Sequence, residues 1–335
     1  MFFPPAPGSS DVATIGGMVA NNSSGMRAVK YGVTRDYVMK LKVVLPNGEI
    51  ITVGSNAKKT TSGYDLVGLF VGSEGTLGVV TEITLRLIGF PESVGVVLAV
   101  FDELSDATNT VYDVIRSGLD PSAIELLDAQ TVAVTNQQQG LSLRVTPTLF
   151  VEFHGAEAGV AEQVEYLREL CDDNNCTDFQ SALSGDERDK LWKARKEAHD
   201  SIKFSHPGET MISGDVCVPL SKFTPMVEFV HEVAKRADVL IYCFGHAGDG
   251  NLHTETIARK EDPEQFARAM QATDAVIEHA LQLGGTVAGE HGIGAAKRQF
   301  MVQEHGPSLD LMRAIKGLID PRGIMNPGKI FPATS

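Results

Sequence analysis

The chain lacks a run of apolar residues long enough to cross a bilayer, a C-x-x-C pair, an internal repeat and a G-x-G-x-x-G loop. Each absence removes a class of protein. Without an apolar stretch of roughly 20 residues no membrane-spanning helix is expected. The N-terminus "MFFPPAPGSS" also has neither the basic nor the apolar region of a secretory signal. Four cysteines, Cys171, Cys176, Cys217 and Cys243, in 335 residues are too sparse for a disulfide scaffold. They predict free thiols in the cytosol or another reducing compartment, with Cys217 and Cys243 buried in apolar strands. The missing dinucleotide fingerprint argues against a Rossmann domain, and "GSEGTLG" does not meet its spacing. "GIMNPGKI" imitates a P-loop but carries Ile330 where Ser or Thr is required and Pro327 inside the loop. Positive charge is short as well. Lys and Arg number 29 against 43 Asp and Glu, a formal net charge of −14, which excludes nucleic acid and anionic membrane as broad partners. A local basic pocket for a small anion remains compatible. What is left, 43% hydrophobic and 21% charged, is an ordinary globular chain with material for two domains.

Histidine is also scarce, nine in all, yet two of them flank a glycine cluster in "GHAGDGNLH", residues 245–253. Three glycines exclude a helix, at roughly 1 kcal/mol each relative to alanine. "VLIYCF" before and "LHTETI" after read as strands, and Asp249-Gly250 is a favoured two-residue hairpin loop. That loop predicts His246 directly opposite His253, at Cβ separations of about 4.5–5.5 Å. A second motif, "GGTVAGEHGIG", places Glu290 and His291 between glycines. Two imidazoles and a carboxylate form a common open site for a catalytic divalent metal. His291, beside a ligand but pointing elsewhere, is then available to move a proton. The competing reading makes these ordinary strand histidines bonded to backbone.

Along the chain, "VMKLKVVLPNGEIITVG" is a hairpin turning at Asn47-Gly48. "TIGGMVANNSSG" reads as a loop of small residues with backbone N–H groups for phosphate or a planar cofactor. Glycines inside "FVGSEGTLGVVTEITLRLI" suggest bulges or close ligand approach. From residue 93 strands and helices alternate loosely, an α+β texture. One helix, "PEQFARAMQATDAVIEHALQLGG", carries Phe266, Met270, Ile277 and Leu281 on one face and stops at Gly284-Gly285.

Taken in order, "TIGGMVANNSSGMRAVKYGVTRDYVMKLKVVLPNGE", "FVGSEGTLGVVTEITL", "DVCVP", "GHAGDGNLH", "GEHGIGAAKR" and "IMNPGKI" resemble the FAD-dependent D-2-hydroxyacid dehydrogenases. The likeness is to the cytochrome-type D-lactate dehydrogenases and glycolate oxidase flavoprotein subunits of the vanillyl-alcohol-oxidase fold. It implies an α+β architecture: residues 1–90 as the C-terminal part of a FAD-binding domain, 91–304 as a cap carrying substrate and metal, and 305–335 returning to the flavin. The resemblance makes His246, His253 and Glu290 ligands of a divalent metal (Zn or Mn) and His291 the catalytic base. Arg195, in "LWKARKEAHD", takes the place of the family's carboxylate-binding arginine, though the same stretch also reads as a solvated helix face. Thr14, Gly16, Gly17, Asn21, Ser24, Gly25, Gly32, Glu74, Gly75, Thr76, Gly78 and Asn326 are the implied neighbours of FAD.

The implied reaction is oxidation of a D-2-hydroxy acid, D-lactate first, with hydride to the flavin and electrons on to cytochrome c or the quinone pool. Bacterial cytoplasm, or the mitochondrion in a eukaryote, is the implied place. Family members carry a long segment before "TIGG", including the loop that wraps the FAD pyrophosphate. The expectation is therefore that these residues alone purify largely without flavin, and that a complementing N-terminal chain restores it. Two other readings stay open: a non-catalytic or split-subunit fragment, and a metal-dependent hydrolase.

Overall fold

The computed structural model describes residues 1–182 and 185–332, the side chains at 186, 187 and 189–191 excepted. The chain forms two compact units, Met1–Phe90 with Glu290–Ser335, and Pro91–Gly289. The return to the first unit begins at Glu290.

The first unit starts with two short helices, α1 (Ile15–Asn21) and α2 (Ala28–Tyr31). Strands β1 (Val38–Val44) and β2 (Ile50–Gly54) follow, then α3 (Leu66–Phe70) and β3 (Val79–Leu85). β1 is central and pairs antiparallel with both neighbours. The Asn47-Gly48 turn is confirmed: the Asn47 side chain accepts from the Glu49 N–H at 3.0 Å, and Gly48 takes a φ of 86°. The core gathers Leu41, Val43, Val53 and Phe70 with Val19 of α1.

"TIGGMVANNSSG" is not the expected loop. Residues 15–21 are helical because Thr14 caps them, its Oγ1 accepting from the Gly17 N–H at 3.0 Å. Asn22 closes the other end in the left-handed conformation, φ 56°. Propensity ranked Gly16 and Gly17 against a helix, but the cap and the burial of Met18 and Val19 overrode it.

The second unit is built on β4 (Ser93–Phe101), α4 (Leu104–Ser117), β5 (Pro121–Leu127), α5 (Ala129–Gln139), β6 (Thr148–Gly155), α6 (Glu157–Asp173) and β7 (Cys176–Ala182). It continues through α7 (Gly185–Lys196), α8 (Ala198–Ser205), β8 (Thr210–Cys217), α9 (Phe223–Ala237), β9 (Ile241–His246), β10 (Asn251–Ala258) and α10 (Pro263–Gln282). The seven strands form one antiparallel sheet in the order β7-β4-β6-β5-β9-β10-β8. Strand β5 is buried at every position, so both faces of the sheet are covered. One face packs Leu98, Leu127, Phe150 and Phe244 against Ala194, Ala198 and Ile202 of α7 and α8. The other takes α10, whose Thr273 hydroxyl lies 3.2 Å from that of Thr256 on β10.

Helix α10 begins with Asp262 as cap and Pro263 in its first turn. Its buried stripe is Ala269, Ala272, Thr273, Val276, Ile277 and Ala280. Of the four residues assigned to that face from sequence only Ile277 is buried; Met270 is exposed. Small residues let the helix approach the sheet, and a count of large apolar side chains misses that.

The chain then re-enters the first unit through α11 (Met301–His305) and α12 (Ser308–Ile319). All four cysteines are free thiols, Cys171 and Cys243 buried. Among the described residues no helix is long and apolar enough to cross a membrane.

Candidate metal and flavin site

Register places the chemistry of the second unit in one row. On antiparallel neighbours opposed residues share a face. Asp215 of β8 lies opposite His253 of β10, His253 opposite Phe244 of β9, and His246 of β9 opposite Glu125 of β5. Phe244 and His246 are two residues apart, so all of these side chains emerge on the face covered by α7 and α8. The expected direct opposition of His246 and His253 is therefore corrected to a diagonal one. The two-residue loop is replaced by a 3-10 turn, Ala247–Asp249, with Gly250 at φ 72°. This lengthens the connection and slides the register.

The diagonal still brings the imidazoles together. Their Nε2 atoms are 3.2 Å apart, with ring planes at 88°, and both residues are about 95% buried, at 4% and 5% exposure. Behind them lie carboxylates. His246 Nδ1 is 2.7 and 2.9 Å from the two oxygens of Glu125, and His253 Nδ1 is 3.6 Å from Asp215. The Asn251 amide donates to Asp215 at 2.8 Å. Glu125, fully buried, also accepts from Arg195, through Nε at 2.7 Å and Nη2 at 2.5 Å. Arg195 itself is buried, its guanidinium 5.1 Å from the centroid of the Phe244 ring. The reading of "KARKEAHD" as a solvated face thus fails for Arg195.

One turn on, His199 Nδ1 is 3.0 Å from Glu255, whose other oxygen accepts from the Ser213 hydroxyl at 2.7 Å. The bond to Glu255 raises the His199 pKa, partly offset by burial.

Glu125, Asp215 and Glu255 were not named from the sequence as site residues. Their signal was present: each is a single acidic residue inside an apolar or β-branched strand, where a carboxylate must find a partner.

In the first unit, residues 290–294 are held by side chains of the N-terminal segment. The Ser24 hydroxyl donates to Glu290 at 3.0 Å, and Asn21 Nδ2 to the His291 carbonyl at 3.5 Å. Glu74 accepts from the N–H groups of Ile293 and Gly294 at 2.7 and 2.9 Å. It holds a φ of 50°, costly for a non-glycine residue. Asn326 Nδ2 donates to the Glu74 carbonyl at 2.5 Å. Lys316 donates to the carbonyls of Thr76 and Met325 and to Asp320. Thus Asn21, Ser24, Glu74, Thr76, Glu290, His291 and Asn326 belong to one network.

His291 is exposed, as are Thr14, Gly16, Gly17 and Asn21 on α1. Gly25 is buried and irreplaceable for a local reason: at φ 98° an added Cβ would fall 2.1 Å from the Ala6 carbonyl oxygen. At Gly78 a Cβ would lie 2.6 Å from Val43, so close strand packing accounts for that glycine. Gly32 ends α2, and Gly75 sits in the turn after Glu74. A separate cavity of about 690 Å³ touches Arg35, Lys58, Tyr64 and Arg86 but none of the residues implied to surround FAD.

With this geometry in place, the comparisons with known proteins define the class. Residues 90–330 match the model of the FAD linked oxidases, C-terminal domain, and residues 1–54 that of a FAD binding domain. The chain belongs to the FAD-linked oxidase family. It is 39% identical over 334 residues to the glycolate oxidase subunit GlcD of Bacillus subtilis, covering 99% of this chain and 71% of that protein. It is 40% identical to the mitochondrial D-lactate dehydrogenase [cytochrome] of Arabidopsis thaliana, covering 99% of this chain and 58% of that one. Among solved structures, the 4-ethylphenol oxidase of Gulosibacter chungangensis superposes with a TM-score of 0.75 at 16% identity, over 96% of this chain and 71% of that one. The p-cresol methylhydroxylase structure gives 0.74 at 16% identity, over 97% and 70%. At those identities the likeness shows the fold, the mixed α/β vanillyl-alcohol-oxidase type.

Proposed function

We propose that the chain carries the flavin-ring and substrate portions of a FAD-dependent dehydrogenase of D-2-hydroxy acids, with D-lactate as first substrate and glycolate as second. The observation that carries the metal-assisted form of this reading is the pair of buried Nε2 atoms 3.2 Å apart. Two metal–nitrogen bonds of about 2.0–2.1 Å, at angles between square and tetrahedral, set nitrogens about 3.0–3.4 Å apart. Buried carboxylates stand behind both rings, a setting that suits a divalent cation. His246 and His253 fit a zinc or manganese ion as ligands; Glu290 is assigned as a third ligand from its motif alone. For the flavin, the exposed, small-residue face of α1 and the turns at Gly75 and Asn326 suit a planar ring laid against backbone.

The metal would lower the pKa of the substrate hydroxyl, and FAD would supply the hydride acceptor. The protein's own groups do the rest. Arg195 binds or orients the substrate carboxylate, its fork held by Glu125. Exposed His291 takes the hydroxyl proton. Ser24 and Glu74 fix the 290–294 loop that presents Glu290 and His291. Electrons would then pass to a cytochrome, the word printed in the names of two relatives, or to a quinone. The mitochondrion is the compartment in those names, and bacterial cytoplasm is the alternative for a bacterial source. The hydrolase alternative finds no support among these relatives.

The test is anaerobic bleaching of oxidised-flavin absorbance in FAD-loaded protein by D-lactate, glycolate and D-2-hydroxyglutarate, with L-lactate as control. Bleaching by a D-acid that disappears in His291→Asn is the expected result. Flavin-loaded protein left oxidised by every acid would favour the non-catalytic reading.

A further inference from the structure

We infer that Glu125 is a positioning residue that locks His246 in the Nδ1–H tautomer and so presents the Nε2 lone pair toward His253. The inference rests on the metal reading above only in what the orientation is for; the orientation itself belongs to the second unit alone. Glu125 is fully buried on β5 and touches two functional candidates at once, Arg195 through two N–H groups and His246 through Nδ1. Beside a guanidinium that stays charged, the carboxylate is an acceptor only. The atom facing it at 2.7 Å must therefore donate, which puts the imidazole proton on Nδ1. Free neutral imidazole side chains favour the opposite tautomer, so a fixed acceptor is needed to hold this one.

The neighbour shows why the effect matters. His253 turns its own Nε2 to within 3.2 Å of that of His246, and its Nδ1 side faces Asp215. In a protein without Glu125, His246 would be free to put its proton on Nε2, and that nitrogen would then have no lone pair to offer a cation. Glu125 thus does for His246 what outer carboxylates do for metal-binding histidines generally, fixing tautomer and ring plane together. It also ties the aim of Arg195 to that of His246 through one group, so the carboxylate-binding and metal-binding candidates are coupled by a shared anchor.

The experiment uses the 335-residue chain labelled with ¹⁵N-histidine and freed of metal, with His246→Gln to assign the ring signals. Wild type and Arg195→Lys, which keeps both Glu125 and a cation beside it, are expected to show a protonated Nδ1 and an unprotonated Nε2 at His246. The double variant Glu125→Leu/Arg195→Met removes the carboxylate without stranding a buried charge, and is expected to shift the proton to Nε2. Titration with Co²⁺ alone, followed by its visible absorbance, should show affinity lowered about 10–100-fold in the double variant. An unchanged Nδ1–H tautomer in a folded double variant, with its thermal transition retained, overturns the inference. Should the double variant not fold, Glu125→Val/Arg195→Met, which also removes the acceptor and suits a strand, is read by the same measurements, and an unchanged Nδ1–H tautomer there overturns it. A wild-type protein that shows the Glu125-dependent tautomer yet binds no Co²⁺ supports the orientation and removes the metal reading instead.

Discussion

The two units of the chain solve the same problem, covering a sheet, to very different degrees. In the second unit seven strands have helices on both faces, and β5 is buried from end to end. In the first, three strands carry a smaller core, β2 is buried only at Val53, and Ile50, Tyr64, Val79 and Leu318 stand exposed. The difference extends to polar groups. The second unit buries carboxylates against other side chains, Glu125 with Arg195 and His246, Glu255 with His199 and Ser213. In the first unit several polar side chains hold backbone instead: Glu74 two N–H groups, Lys316 two carbonyls, Thr14 one helix end. A wide sheet can afford a buried reactive row because its apolar core carries the stability. A narrow one uses hydrogen bonds to hold the shape of its loops.

The sharpest break of this comparison is at the reacting groups. His291→Asn, on the exposed loop of the first unit, should lower turnover about 10²–10⁴-fold while metal content by elemental analysis stays at the wild-type level. His246→Ala in the buried row should remove both turnover and metal, leaving the thermal transition nearly in place. Metal lost from His291→Asn would move that residue into the ligand set.

Next in size is a packing test. Phe150→Ala, in the fully buried core of the second unit, should cost about 3–5 kcal/mol, read by denaturant midpoint. Tyr64→Ala, 95% exposed in the first unit, should stay within about 0.5 kcal/mol. Equal losses would show that Tyr64 is covered in solution. A smaller effect is expected at α1. Thr14→Ala removes the cap and should cost about 1 kcal/mol, seen as faster amide exchange at Gly16 and Gly17 with the second unit unaffected.

The smallest is a pH effect confined to the second unit. The hydrogen bond to Asp128 raises the pKa of His231, with burial opposing it. A histidine whose pKa is raised on folding stabilises fully below its unfolded value, about 6.5. That contribution fades as pH climbs through the higher folded value. The thermal midpoint should therefore fall over this window, and the slope should flatten in His231→Gln. An unaltered slope would exclude this pair as its source.

Much of the fold could be read from pattern. Pattern located the β1–β2 hairpin and the loose alternation of strands and helices from residue 93, and the glycine pair after Gln282 marked the end of α10. The histidine pair of the site was legible too, because strand flanks on both sides of a glycine turn leave few geometries. Its register was not. A 3-10 turn and a tight two-residue turn both accept "AGDG", and only pairing of β10 with β8 on its other side selects one. The α1 helix was hidden for a related reason: its two glycines are outvoted by a threonine cap and two buried side chains supplied by packing.

What the sequence determined by itself is the family and the inventory of reactive groups, since both depend on residue types at short spacings: "GHAGDGNLH", "GEHGIG" and Arg195 in "LWKARKEAHD". What only the tertiary structure decided is which groups act on one another. Glu125 lies 121 positions from His246 and 70 from Arg195. No local periodicity links them; they meet because strand order sets β5 beside β9 and α7 over both. A carboxylate buried in an apolar strand announces that it needs a partner. The pairing of sheets and helices, driven by burial of their apolar faces, decides who that partner is.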